Sequence, residues 1–355
     1  MNNRLKNVIA LSLPLQIFLV RWLSNYPEYI ETYFSTGIYR YTSTFFRLIL
    51  GWVPFSVGDI IYAFLVLYAI RYLVVKRKYI WTHKLVFLRN IAMVLAVAYF
   101  TFNLSWGLNY HREPISKKLA LTEKCTKEEL VSFVDALILK TNQTQMRIVG
   151  DSSKMVTNNY TNKELFTKTI EGYTQLEKTH PFLSYTHYSI KESLFSYPLS
   201  YMGYGGYLNP FTNEAQVNAL IPSFRFPVVS GHEIGHQLGY SAENETNLIG
   251  YIVTLNNEDI QFKYSAYAYA LSYCLSNIKE NDPELFTTLI AKVNGGVLQN
   301  YEAMNAFWLG YENITEPVFK AIFNSFLKAN KQNDGIKSYS KVVYLMVSYH
   351  QKYPL

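Results

Sequence analysis

The run HEIGH, made of His232, Glu233 and His236 with two spacers, is the most specific chemistry in the chain. On an α-helix, residues i and i+4 lie on one face. Two imidazoles at that spacing can hold one Zn²⁺. The Glu beside the first His then lies next to the metal's open position, where it can take a proton from water. A zinc ion that keeps one position open needs a third protein ligand. Glu243 and Glu245 are the nearest candidates. Asn247 stands four residues after Glu243, one helical turn on, and could orient a ligating His.

The flanking residues supply the elements that such a site needs. Pro227 suits the first turn of a helix, where its missing N–H costs nothing. Val228, Val229, Ile234 and Leu238 offer apolar positions to bury. Gly239 sits where a helix end favours positive φ. A second apolar helix is expected to follow from Glu243. Before the motif, Ala215, Val217, Ala219 and Ile221 alternate with Glu214, Gln216 and Asn218, a period of two that predicts a strand. A strand in that place could hold an extended peptide by main-chain hydrogen bonds; as an ordinary sheet edge it would hold nothing. Gly203, Gly205, Gly206 and Pro210 read as a turn-rich approach to it.

The rest of the C-terminal two thirds reads as helical. Thr126 and Glu129 form a capping box opening TKEELVSFVDALILK. Further helical stretches fall at 162–179, 259–276, 283–293, 301–311, 315–330 and 338–350. Residues 141–161 are polar and read as a mobile loop. His83, His111, His180, His187 and His350 are isolated and read as structural or solvated. Tyr264, Tyr267, Tyr269 and Tyr273 lie on the helix after the site, and one of them could donate a hydrogen bond to a developing oxyanion. Cys125 and Cys274 are too few and too far apart in sequence to build a metal cluster, and read as free thiols or a single disulfide.

The first 108 residues differ in kind. The segments 8–23, 57–75 and 85–108 are strongly apolar, and about 20 such residues span a bilayer. No small-x-small cleavage site follows the first, so it reads as an uncleaved helix of about 5–23. Lys76, Arg77, Lys78 and Lys84 crowd the loop between the second and third, and Arg4 and Lys6 lie near the start. That pattern places the N-terminus and this loop in the cytoplasm and residues 109–355 outside it. The expected division is therefore a membrane region, 1–108, and an extracytoplasmic domain, 109–355, mainly α with a small β element. The net charge of +7 is largely this topogenic charge, and no basic stripe in the C-terminal half calls for nucleic acid.

Three stretches, WGLNYHR at 106–112, GYLNPFTNEAQVN at 206–218 and HEIGHQLGYSAENETNLIGY at 232–251, resemble a bacterial family of membrane-anchored proteins with a domain of unknown function. That family is grouped with zinc peptidases of the gluzincin type. The resemblance covers nearly the whole chain. It implies an α+β zincin-like fold after three transmembrane helices. It also implies zinc ligands His232, His236 and Glu243, Glu233 as general base, and Asn247 behind a ligand. Two features depart from the gluzincin pattern. Asn247 stands where Asp is commoner, and only six residues separate His236 from Glu243. In the metzincin pattern the third His would fall on Ala242, which cannot ligate, so Glu245 stays open as the alternative ligand. The expected function is a membrane-anchored zinc metallopeptidase acting on a peptide or protein. The alternative is a non-catalytic membrane protein whose zinc serves structure or peptide binding. Intact Glu233 favours the enzyme, since a structural site needs no general base.

Overall fold

Helix formation dominates, as the long apolar and amphipathic stretches dictate: 71% of the described residues are helical. The computed structural model describes residues 2–330, 332 and 341–355. The chain divides into two compact units, one of residues 1–113 with 209–214, the other of residues 114–208 with 215–355.

In the first unit, three helices are long and apolar enough to cross a membrane: Asn3–Leu23, Val57–Val75 and Lys84–Ser105. At 1.5 Å per residue, a 19-residue helix is about 28 Å long, close to the ~30 Å hydrocarbon core of a bilayer. No more than 11% of any of the three apolar windows is buried within the protein. The third helix ends at Ser105, short of the expected 108, because Trp106 breaks the helical backbone and a 3₁₀ turn, Gly107–His111, follows.

Residues 24–56, expected only as a connection between spans, are mostly helical as well. They form a short turn (Pro27–Tyr29), a π-helix (Ile30–Ile38) and an α-helix (Tyr39–Leu50). The last is inverted relative to a helix in water. Tyr39, Ser43 and Arg47, at i, i+4 and i+8, are buried, while Tyr41, Phe45, Leu48 and Ile49 are exposed. The interior of this unit is held by polar contacts. Arg112 grips Glu31 through two nitrogens at 2.8 and 2.9 Å, and Asn213 donates to the Tyr39 hydroxyl. Glu214 accepts the N–H groups of Val57 and Gly58, so a carboxylate sits at the positive end of the Val57–Val75 helix.

The second unit buries apolar side chains in the ordinary way. Ile234, Leu248, Ile249, Tyr251, Leu271 and Met346 lie in one core. It is built by the helices Lys127–Val149, Phe226–Gln237, Glu243–Leu255, Ile260–Asn281 and Val342–Lys352. The Thr126–Glu129 capping box is present in both directions. The helix it opens runs on to Val149 and stops at Gly150, whose φ of 72° is left-handed. Residues 141–161 are therefore no loop in their first half. The remainder is tied down: Gln145 donates to the carbonyls of Asp151 and Lys154, and Asn300 bonds both the N–H and the carbonyl of Val156. The other α-helices among the described residues of this unit are Ile115–Leu119, Asn162–Leu176, Ser196–Met202, Pro283–Ile290, Gly295–Leu309 and Glu316–Ala329. The expected stretch 338–350 begins outside the described residues. Both cysteines are free thiols.

Three strands form a small mixed sheet: β1 (Ile190–Glu192), β2 (Gly206–Asn209) and β3 (Glu214–Val217), in the order β1-β3-β2. β1 runs parallel to β3, with Ile190 opposite Ala215. The expected strand through Ile221 is shorter and placed differently. The Asn218 side chain accepts the Leu220 N–H, and this turn ends β3 at Val217. β3 is also the central strand, buried at all four residues. Its alternating polar residues face no solvent, and it has no free edge for a peptide.

Candidate metal centre

The motif helix, Phe226–Gln237, starts with Pro227 in its first turn and ends at Leu238. Gly239 follows with φ 84°, as a sharp helix stop requires. The chain turns and re-enters helix at Glu243. The two helices then cross almost backbone to backbone. A Cβ added at Gly231 would meet the Gly250 Cα at 3.0 Å, and one at Gly250 would meet the Val228 carbonyl at 2.6 Å. Only glycine permits that approach. It carries the start of the second helix to the histidine face of the first.

His232, His236 and Glu243 meet there, with one ligand atom from each lying within 4.8 Å of the others. Oε2 of Glu243 is 3.3 Å from Nε2 of His232 and 3.8 Å from Nε2 of His236. Donors bound about 2 Å from one tetrahedral ion stand roughly 3.3 Å apart, so the separations are close to those a zinc-sized ion imposes. The imidazole rings meet edge to face with centroids 4.7 Å apart. The other nitrogen of each ring is occupied. Nδ1 of His232 lies 2.9 Å from Oδ1 of Asn247, and Nδ1 of His236 lies 2.8 Å from the Tyr240 carbonyl. Protonated on Nδ1, both rings present a bare Nε2 lone pair to the same point, the arrangement that ligating histidines adopt. Two nitrogens and a carboxylate oxygen make a donor set suited to Zn²⁺.

Glu245 goes elsewhere. Residues two apart on a helix point about 200° from each other. Its Oε1 accepts the Ile115 N–H at 2.7 Å, at the start of the helix Ile115–Leu119. Glu233 is buried beside the two histidines. Its Oε2 has no hydrogen-bond partner among the described residues. Burial pushes its carboxyl up to about 8; the His232 charge opposes this and Glu243 adds to it. Burial pulls His236 down to about 4. Burial would lower His232 as well, but its bond to Glu243 and the charges of Glu233 and Glu243 outweigh it, and the net shift is upward.

The structure gives two residues before the motif a place at the site that the sequence did not assign them. Gly206, on β2, passes directly against Glu233: a Cβ there would lie 2.6 Å from Oε1 of Glu233. The Gly205-Gly206 pair read as flexibility is a place where backbone must approach a carboxylate. Tyr204, just before it, is pushed up to about 12 by burial and then by the Glu243 charge. Its ring packs on Phe323. Of the four helix tyrosines, Tyr269 alone also feels Glu243. The isolated histidines stay outside the site: His350 meets the Tyr251 hydroxyl at 2.6 Å, and His180 lies beside Thr179.

The described residues include three helices long and apolar enough to cross a membrane, which suggest a multi-pass membrane protein, and a His–His–Glu group that could hold a metal ion. A family model described as "Protein of unknown function (DUF3810)" matches residues 34–347, and the chain belongs to that family. No curated protein and no solved structure matches the chain.

Proposed function

We propose that the protein is a membrane-anchored zinc metallopeptidase, with His232, His236 and Glu243 as ligands and Glu233 as the general base. The observation that carries this reading is the pairing of a convergent three-ligand set with a buried carboxylate, Glu233, whose Oε2 has no hydrogen-bond partner among the described residues. A structural zinc site would close with a fourth protein ligand and has no use for that carboxylate. Zn²⁺ held at these atoms would polarise a peptide carbonyl and lower the pKa of water. The chain's own residues do the rest. Asn247 and Tyr240 fix the imidazole tautomers. Glu233 takes the proton of the attacking water and passes it to the leaving amine. The extended peptide would run along β2, the outer strand whose Gly206 touches Glu233.

The test is hydrolysis of a peptide library by the purified full-length protein, with and without chelator. Glu233→Gln keeps shape and removes the base. It should retain zinc and lose at least ~10²–10⁴-fold in hydrolysis. Equal cleavage by parent and variant would refute the mechanism.

We infer the division and orientation from the basic loop at 76–84: residues 1–108 as the membrane region, and the domain 109–355 outside the cytoplasm. A reporter fused after Leu355 should be active only outside, and one placed near Lys78 only inside. A C-terminal reporter active in the cytoplasm would mean that one of the three spans, the first above all, does not cross.

A further inference from the structure

Arg225 stands immediately before the motif helix and seven residues before His232. Its backbone is already helical, at φ −90° and ψ −23°. Seven residues are two turns, so Arg225 shares the histidine face, about 10 Å along the axis. Its guanidinium lies over the Tyr269 ring at 4.0 Å and near the Tyr273 ring at 5.7 Å. Among the described residues no carboxylate pairs with it and no acceptor takes its N–H groups. Aromatic faces hold a cation but accept none of the five guanidinium donors. The half-buried guanidinium is therefore open to an anion that can displace water from it.

Tyr269 is the second donor in need of an acceptor. It is 3% exposed; its hydroxyl meets no acceptor at hydrogen-bond geometry among the described residues, although the Tyr273 hydroxyl is close enough to interact with it. Burial, and then the neighbouring Tyr273, hold its pKa well above the ordinary value; Arg225 opposes this and Glu243 adds to it. The phenol therefore keeps its proton, within electrostatic reach of both Arg225 and Glu243.

We propose that Arg225 and Tyr269 form a carboxylate-binding subsite of the metal centre, and that the substrate is a peptide whose free C-terminal carboxylate docks there. The inference rests on the peptidase reading and narrows it. Guanidinium and carboxylate match as a two-pronged, charge-assisted pair. An extended chain covers about 3.3–3.6 Å per residue. A carboxylate held from two turns along the helix would thus lie about three residues beyond a carbonyl at the metal, and the leaving fragment would be a short C-terminal peptide. An acidic side chain offers the same chemistry from another source.

The test is binding to the zinc-loaded, full-length Glu233→Gln protein in detergent. Three peptides of one length are compared: a free acid, its C-terminal amide, and an amide carrying one internal Glu. The free acid should bind about ten- to a hundredfold more tightly than the plain amide, the range of a hydrogen-bonded charge pair. Adding Arg225→Gln should erase the preference while zinc content is unchanged; Arg225→Lys should restore part of it, and Tyr269→Phe should weaken it. Equal binding of acid and amide, a preference that survives Arg225→Gln, or no binding of any peptide would overturn the subsite. Tighter binding of the Glu-bearing amide would overturn the C-terminal assignment. The peptidase reading is scored separately, by chelator-sensitive cleavage in the protein with Glu233 intact. A retained acid preference without cleavage would sink that reading and leave the subsite standing.

Discussion

Leu67, in the Val57–Val75 helix, and Ile249, in the Glu243–Leu255 helix, are both aliphatic residues well inside apolar helices, yet the first is 67% exposed and the second is fully buried. The contrast extends to the units that carry them. In the first unit the leucines and phenylalanines of three long helices mostly face out, and what is hidden mixes a few apolar residues, Ile30, Phe34 and Trp106, with polar ones: the Glu31–Arg112 pair, Arg47, Asp59, Asn109. In the second unit the apolar residues fill the core, and His236 and Glu243 are among the polar residues buried there. Hydropathy alone does not say which way a helix turns its apolar face. The solvent decides. In lipid an exposed Leu costs nothing and an unpaired polar group is expensive; in water the apolar face must find a partner.

The contrast can be broken by substitution. Ile249→Ala should remove about 2–5 kcal/mol of stability, since it opens a cavity in a packed core. Next in size is Asn247→Ala. Loss of the partner of His232 Nδ1 should weaken zinc binding about 10–100-fold, read by competition with a chromogenic chelator. Unchanged affinity would show that the His232 ring is oriented by something else. Leu67→Ala should do least, shifting thermal unfolding in detergent by no more than about 0.5 kcal/mol, because nothing in the protein packs on it. A loss at Leu67 as large as that at Ile249 would mean that this face is covered by protein rather than lipid.

Much of this is legible in the sequence where a single element carries the information. The three spans announce themselves by length and hydropathy. HEIGH needs only the helical period, and Gly239 only the φ preference of a helix stop. Of the two acidic candidates, helix geometry alone says that one at most faces the metal. It takes the Ile115 N–H, 130 positions away in sequence, to occupy Glu245. The less legible features all depend on what lies opposite. Tyr39–Leu50 hides Tyr39, Ser43 and Arg47 and exposes its apolar residues, a choice its own pattern does not announce. The alternation at 214–217 looks like a half-exposed strand but lies between two others. Gly231 and Gly250 read as unremarkable small residues, and they are the contact that sets Glu243 beside the histidines. The glycines were visible as glycines; their partners were not.

The central claim is the ligand set, and metal content tests it most directly. The purified full-length chain should carry about one Zn²⁺, the number that one three-ligand site holds. Glu243→Ala should lose it. Glu245→Ala should keep it while unfolding about 1–3 kcal/mol more easily, because the buried Ile115 N–H is left without its acceptor. Full zinc occupancy in Glu243→Ala, or its loss only in Glu245→Ala, would contradict the account.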